Sequence, residues 1–128
     1  MPVVLVVEDD AEIRATLRMA LEDDGYAVLE AHNGEAALAQ LRENAAPMVV
    51  LLDLVLPLRS GASVLEAVAM DADLASRHAY ILLTAADQSF QPPFTYVLKQ
   101  LQVPVIHKPF DLDTLLSTVT QARERMGA

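Results

Sequence analysis

Three runs of five consecutive apolar residues, Val3 to Val7, Met48 to Leu52 and Ala79 to Leu83, limit what this chain can fold into more than any other feature. Each falls far short of the roughly 20 apolar residues that cross a bilayer, so no membrane span is read here. Each lacks polar alternation and carries branched side chains, the pattern of a strand covered on both faces in a parallel sheet. Parallel neighbours need long crossovers, and helical periodicity supplies them. Ile13, Leu17, Ala20 and Leu21 recur at helical spacing, with Glu12, Arg14, Arg18 and Glu22 on the wet side. They predict a helix over about 11–23, capped by Asp10 and ended by Gly25.

Tyr26 to Glu30 reads as a short strand suited to a sheet edge, and Asn33 starts a helix through Ala37, Leu38 and Leu41 that stops before Pro47. Leu54 to Ser60 is a loop; Gly61 leads into a helix with Val64, Leu65 and Val68 inward. Asp87 to Pro93 is a polar connection, followed by Phe94, Val97, Leu98 and Leu101 at helical spacing. Phe94 and Tyr96 cannot share one helix face, so one is core and the other faces outward. Val103 to Ile106 reads as the final strand, with Pro104 tolerated only at an edge or at the strand's start. Asp111 caps a last helix marked by Leu112, Leu115, Leu116 and Val119 and ending near Met126. A β-α alternation repeated five times predicts an α/β fold with a doubly wound parallel sheet and right-handed crossovers. At 128 residues, 1–128 reads as one domain.

Charge and composition narrow the function classes. Eighteen acidic against nine basic residues give a net charge of −9, which opposes a nucleic-acid partner. The absence of cysteine excludes a thiolate metal site, and three separated histidines do not suggest a zinc cluster. No Lys or Arg precedes the first apolar run, which leads directly into Glu8, Asp9 and Asp10, unlike a secretion signal. A cytoplasmic location is expected.

The polar residues that matter stand just after apolar strands: Glu8 and Asp9 after the first, Asp53 after the third, Thr84 after the fourth and Lys108 after the fifth. That rim is where open α/β sheets bind ligands. Crowded carboxylates repel one another, and a hard divalent cation is the usual remedy. A carboxylate is also a nucleophile able to take a phosphoryl group as an aspartyl phosphate. The transferring group then needs positive charge and donors, which a metal at Asp9 and Asp53, the Lys108 ammonium and the Thr84 hydroxyl would supply. Asp10 is read as a cap, Phe110 as packing, and His32, His78 and His107 as without a catalytic role.

Val7-Glu8-Asp9-Asp10, Leu52-Asp53 with Pro57 and Gly61 beyond it, Leu83-Thr84-Ala85 and Lys108-Pro109-Phe110 together resemble the receiver domain of bacterial two-component response regulators, over essentially the whole chain. The resemblance implies a five-stranded flavodoxin-like sheet in strand order 2-1-3-4-5. It implies phosphorylation of Asp53 by a histidine kinase or histidine phosphotransfer protein, with Mg²⁺ (or Mn²⁺) held by Asp9, Asp53 and the Val55 carbonyl, and Glu8 acting largely through metal-bound water. Thr84 and Lys108 would contact phosphoryl oxygens, and the Lys108–Pro109 peptide would be cis. Signalling would pass to a downstream protein by surface contact, with a homodimer among the arrangements allowed, and a stand-alone receiver is the first reading.

Two departures carry expectations of their own. Val105 stands where many receivers have an aromatic residue three positions before the lysine, so that half of the familiar switch is missing. Val55 and Ala86, two positions after the aspartate and the threonine, cannot orient a hydrolytic water, which predicts slow self-dephosphorylation. An aspartyl-phosphate phosphatase or phosphotransferase is the enzyme alternative, disfavoured because Val55 replaces the general acid such enzymes carry. A vestigial interaction module is the other.

Overall fold

In the computed structural model, which describes residues 2–85 and 90–127, the apolar runs pair as strands of a single parallel sheet. Its strands are β1 (Val3–Val7), β2 (Ala27–Ala31), β3 (Val49–Asp53), β4 (Ala79–Ala85) and β5 (Val105–Lys108), in the order β2-β1-β3-β4-β5. The helices are α1 (Ala11–Asp23), α2 (Gly34–Glu43), α3 (Gly61–Ala69), α4 (Ala72–Arg77), α5 (Phe94–Gln100) and α6 (Leu112–Gly127). No described helix is long and apolar enough to cross a membrane.

The unbroken apolar character of the strands has a direct cause, since successive side chains enter two separate cores. Leu5, Val7, Val50, Leu52, Tyr80 and Leu82 face α2, α3 and α4 with Ala37, Leu38, Leu41, Val64, Leu65 and Leu74. Val4, Val6, Val49, Leu51, Ile81 and Leu83 face α1 and α6 with Leu17, Leu21, Leu115 and Val119. Burying such a side chain is worth about 1.5–3 kcal/mol against leaving it exposed. Both faces of the three central strands are therefore committed, and only their ends are free for function.

Local signals close the elements. Asp10 accepts from the Glu12 and Ile13 N–H groups, Asn33 from Ala36 and Asp111 from Thr114. Gly25 takes a positive φ of 94°, which lets the Tyr26 N–H return to the Leu21 carbonyl and end α1. The Pro92–Pro93 and Lys108–Pro109 peptides are both cis.

The structure also departs from the expectations. Among the described residues the sheet carries six helices, not five: Asp71 caps the short α4, whose Leu74 is buried. β5 starts at Val105, two residues later than expected, and runs through Lys108. Pro104 precedes it and offers only its carbonyl, which accepts from the Leu82 N–H, so its missing donor costs the ladder nothing. Thr84 lies within β4, one residue before its end. Leu112 is exposed, unlike Leu115, and Tyr96 is exposed while Phe94 packs on the core. Ala86 and the start of the Asp87–Pro93 connection lie outside the described residues.

Candidate functional site

Parallel register brings the polar residues to one rim. Val7 pairs with Leu52, Asp53 with Leu83, Thr84 with His107 and Ala85 with Lys108, so strands from four distant stretches end at nearly the same height. Glu8 continues the ladder by one bond, its N–H donating to the Ala31 carbonyl at 3.0 Å. Gly61, the first residue of α3, lies against the Asp53 backbone so closely that a Cβ there would stand 2.9 Å from Leu54 Cα and nearer still to the Asp53 carbonyl oxygen. Glycine at this position is a packing requirement of the strand end that carries Asp53.

Asp53 is only 6% exposed and its two oxygens are held differently. Oδ2 accepts from Lys108 Nζ at 3.1 Å, and Oδ1 accepts from the Val55 N–H at 3.3 Å. Lys108 Nζ also donates to Glu8 Oε1 at 3.4 Å, and the Asp10 N–H donates to Glu8 Oε2 at 3.2 Å. Asp9 is exposed at the mouth, and Glu8, Asp9 and Asp53 each offer a carboxylate oxygen within 4.8 Å of the other two. Burial pushes the Glu8 carboxyl up to about 7; the Asp10 N–H opposes this and the Asp53 charge adds to it. Burial would by itself lower the Lys108 ammonium, but the Asp53 and Glu8 carboxylates outweigh it and raise the ammonium above its ordinary value.

Three carboxylates thus face one ammonium, an all-oxygen set able to coordinate a hard divalent cation. The residues fit such an ion on chemical grounds, because three crowded carboxylates, two of them buried, outnumber the one ammonium that faces them. Beside it the Thr84 hydroxyl is buried with no hydrogen-bond partner among the described residues. Buried hydroxyls are rarely left so, and an orphan at a ligand-binding rim is a donor suited to an incoming oxygen.

All six residues singled out in the sequence lie at this rim or the loop beside it. Val55 contributes its N–H to Asp53 while the residue is 74% exposed. His107 is exposed, with Nδ1 3.3 Å from the Ala85 carbonyl, and Phe110 packs against the α1/α6 core. Sequence reasoning missed Arg14, which is not on the wet side: its Nη1 donates to the Glu8 carbonyl at 2.8 Å and its Nε to Glu30 at 2.7 Å. Only the parallel pairing of β1 with β2 brings these groups together, so nothing local signals them.

Comparison with known proteins agrees with this geometry. Residues 4–120 match the response regulator receiver domain. The transcriptional regulatory protein YkoG of Bacillus subtilis is 34% identical over 124 residues, covering 97% of this chain and 52% of that protein. The chain spans about half or less of the length of curated relatives that it matches. Among solved structures, the CheY-like receiver domain protein of Methanospirillum hungatei is 28% identical with a TM-score of 0.80, covering 94% of this chain and 92% of the other. The receiver domain of the Francisella response regulator 1452 is 26% identical with a TM-score of 0.83, covering 98% of each.

Proposed function

The chain belongs to the response regulator receiver domain family, and from that premise we propose that Asp53 takes a phosphoryl group from a phosphohistidine and that the phosphorylated chain signals through protein contacts. The reading is carried by one observation: a nearly buried carboxylate at a strand end, gripped by Lys108 on one oxygen and the Val55 N–H on the other, beside two further acids and an unpartnered hydroxyl. In the transfer an Asp53 oxygen attacks phosphorus, the new P–O bond forms as the P–N bond breaks, and the imidazole leaves with the electron pair.

Lys108 exchanges part of its contact with Asp53 for a phosphoryl oxygen, and its charge offsets what the transfer brings in. Thr84 donates its hydroxyl to another phosphoryl oxygen, which gives that hydroxyl the partner it lacks among the described residues. Asp9, Asp53 and the Val55 carbonyl would hold Mg²⁺ or Mn²⁺, with Glu8 acting through water, and the bound ion would supply charge neutralisation for the transferring group. Glu8, beside Asp53, also accepts from Lys108, which keeps the ammonium on the rim.

The donor in this reading is a histidine kinase or histidine phosphotransfer protein, the recipient of the signal is a protein, and the location is cytoplasmic. Residues 1–128 act as one receiver unit, with a homodimer open to it. Because Val105 carries no ring to swing inward, the change at Thr84 is transmitted by shifting an existing equilibrium at α5 and β5. The test is intact mass after incubation with acetyl phosphate, with and without Mg²⁺, beside an Asp53→Asn control. A metal-dependent gain of a single phosphoryl group that the control lacks is expected. No gain by a folded protein, under conditions that label a known receiver, would overturn the reading.

A further inference from the structure

Arg14 occupies the first turn of α1, where its N–H donates to the Asp10 carbonyl at 2.9 Å. Its side chain is 20% exposed and spans two elements, bonding the Glu8 carbonyl through Nη1 and Glu30 Oε1 on β2 through Nε. Glu30 is itself fixed: its other oxygen accepts from Arg18, and its main-chain carbonyl accepts from Gln40 Nε2 at 2.7 Å. The carbonyl that Arg14 holds belongs to the peptide joining Glu8 to Asp9.

That peptide matters because the Asp9 carboxylate accepts no hydrogen bond from the described residues and is exposed. The position of its oxygen near Glu8 and Asp53 is therefore set by its backbone, and the backbone is held from one side by the β1 ladder and from the other by Arg14. A guanidinium can make both bonds at once because its donors point in fixed, different directions, which a lysine ammonium cannot reproduce.

We propose that Arg14, aimed by Glu30, is a positioning residue that fixes the Glu8–Asp9 peptide so that the Asp9 carboxylate stays in range of Asp53 for a divalent cation. The inference rests on the metal reading above. It separates from a plain charge effect by sign. Removing a cation beside an acidic cluster tightens binding of a second cation by Coulomb's law, whereas releasing the peptide that carries a ligand weakens it.

The experiment is titration with Mn²⁺, followed by electron paramagnetic resonance of the free ion, on the wild-type chain and on Arg14→Met, Arg14→Lys, Glu30→Gln and Arg18→Met. Urea unfolding establishes which variants are folded, and Arg14→Lys, which keeps the charge, carries the test should Arg14→Met fail to fold. The Arg14 variants and Glu30→Gln are expected to raise the Kd for Mn²⁺ about tenfold, and Arg18→Met, which frees one oxygen of Glu30 but leaves both Arg14 bonds in place, to raise it no more than about twofold. An unchanged or lower Kd in the Arg14 variants overturns the proposal, as does an equal loss in Arg18→Met. No Mn²⁺ binding by the wild-type chain overturns the metal reading and this inference with it, an outcome distinct from binding that the variants leave untouched.

Discussion

Replacing Thr84 with valine should make the unphosphorylated protein more stable and the phosphoryl transfer worse. The residue is 1% exposed and its hydroxyl is buried without a partner among the described residues. Leaving such a group unsatisfied costs about 1–3 kcal/mol, and valine removes that cost while nearly preserving shape. A gain of about 1–2 kcal/mol follows for Thr84→Val, because the methyl that replaces the hydroxyl must still find room among close-packed neighbours. With a urea m-value of about 2 kcal/mol/M, the unfolding midpoint should rise by roughly 0.5–1 M. Labelling by acetyl phosphate should fall in the same variant, since the transferring group loses a donor. A midpoint lowered by more than about 0.25 M at that m-value would show that the hydroxyl is satisfied in the folded chain, and would remove the argument that it awaits an incoming oxygen.

Three further outcomes follow from the structure. His78 is buried, with Nδ1 accepting from the Met48 N–H and Nε2 donating to the Leu41 carbonyl, and burial, opposed by the Leu41 bond and aided by the Arg77 charge, holds its imidazole below the ordinary value. A depressed folded value gives stability that is complete above the unfolded value of about 6.5 and is lost as pH falls through it; urea midpoints measured downward from neutrality should fall more steeply in the wild type than in His78→Gln. Gly61→Ala should cost about 1–3 kcal/mol by overpacking and should slow acetyl phosphate labelling more than Gly34→Ala, which crowds Arg59 instead of Asp53. Glu8, raised to about 7 by burial, must shed its proton before the cluster carries its full charge. Mn²⁺ affinity should therefore climb with pH up to about 7 and level off, and a flat profile in the wild type, or an equal slope in Glu8→Gln, would contradict the assignment.

Much of this architecture was readable from residue order. The apolar runs gave the strands because a doubly covered strand has no wet face to mark, and Asp10, Asn33 and Asp111 gave helix starts through side-chain acceptors. The rim residues were legible for a related reason: a charged or hydroxyl residue directly after a buried strand has only the sheet end to occupy. What escaped depends on separation and packing. α4 buries Leu74 as its one fully buried side chain and so shows no amphipathic stripe. Arg14 and Arg18 have the spacing of a solvated face, but they lean across onto Glu30, a contact that exists only because β2 pairs with β1. His78 looked incidental, yet it ties the start of β3 to the end of α2, together with Arg77, which donates to the Leu41 and Asn44 carbonyls. Val105, which carries no ring, is half-buried against the core on the α5 side, where the Phe90–Phe94 pair also packs.

The most direct test of the central claim is to trap the acyl phosphate and find where it sits. The chain is incubated with acetyl phosphate and Mg²⁺, reduced with borohydride, which converts an aspartyl phosphate to homoserine, and mapped by peptide mass spectrometry. Homoserine at position 53 alone, dependent on the metal and absent from Asp53→Asn, is the expected result. Homoserine at Asp9 or elsewhere, or none at any position in a chain that had gained a phosphoryl group, would contradict the assignment of Asp53 as the acceptor.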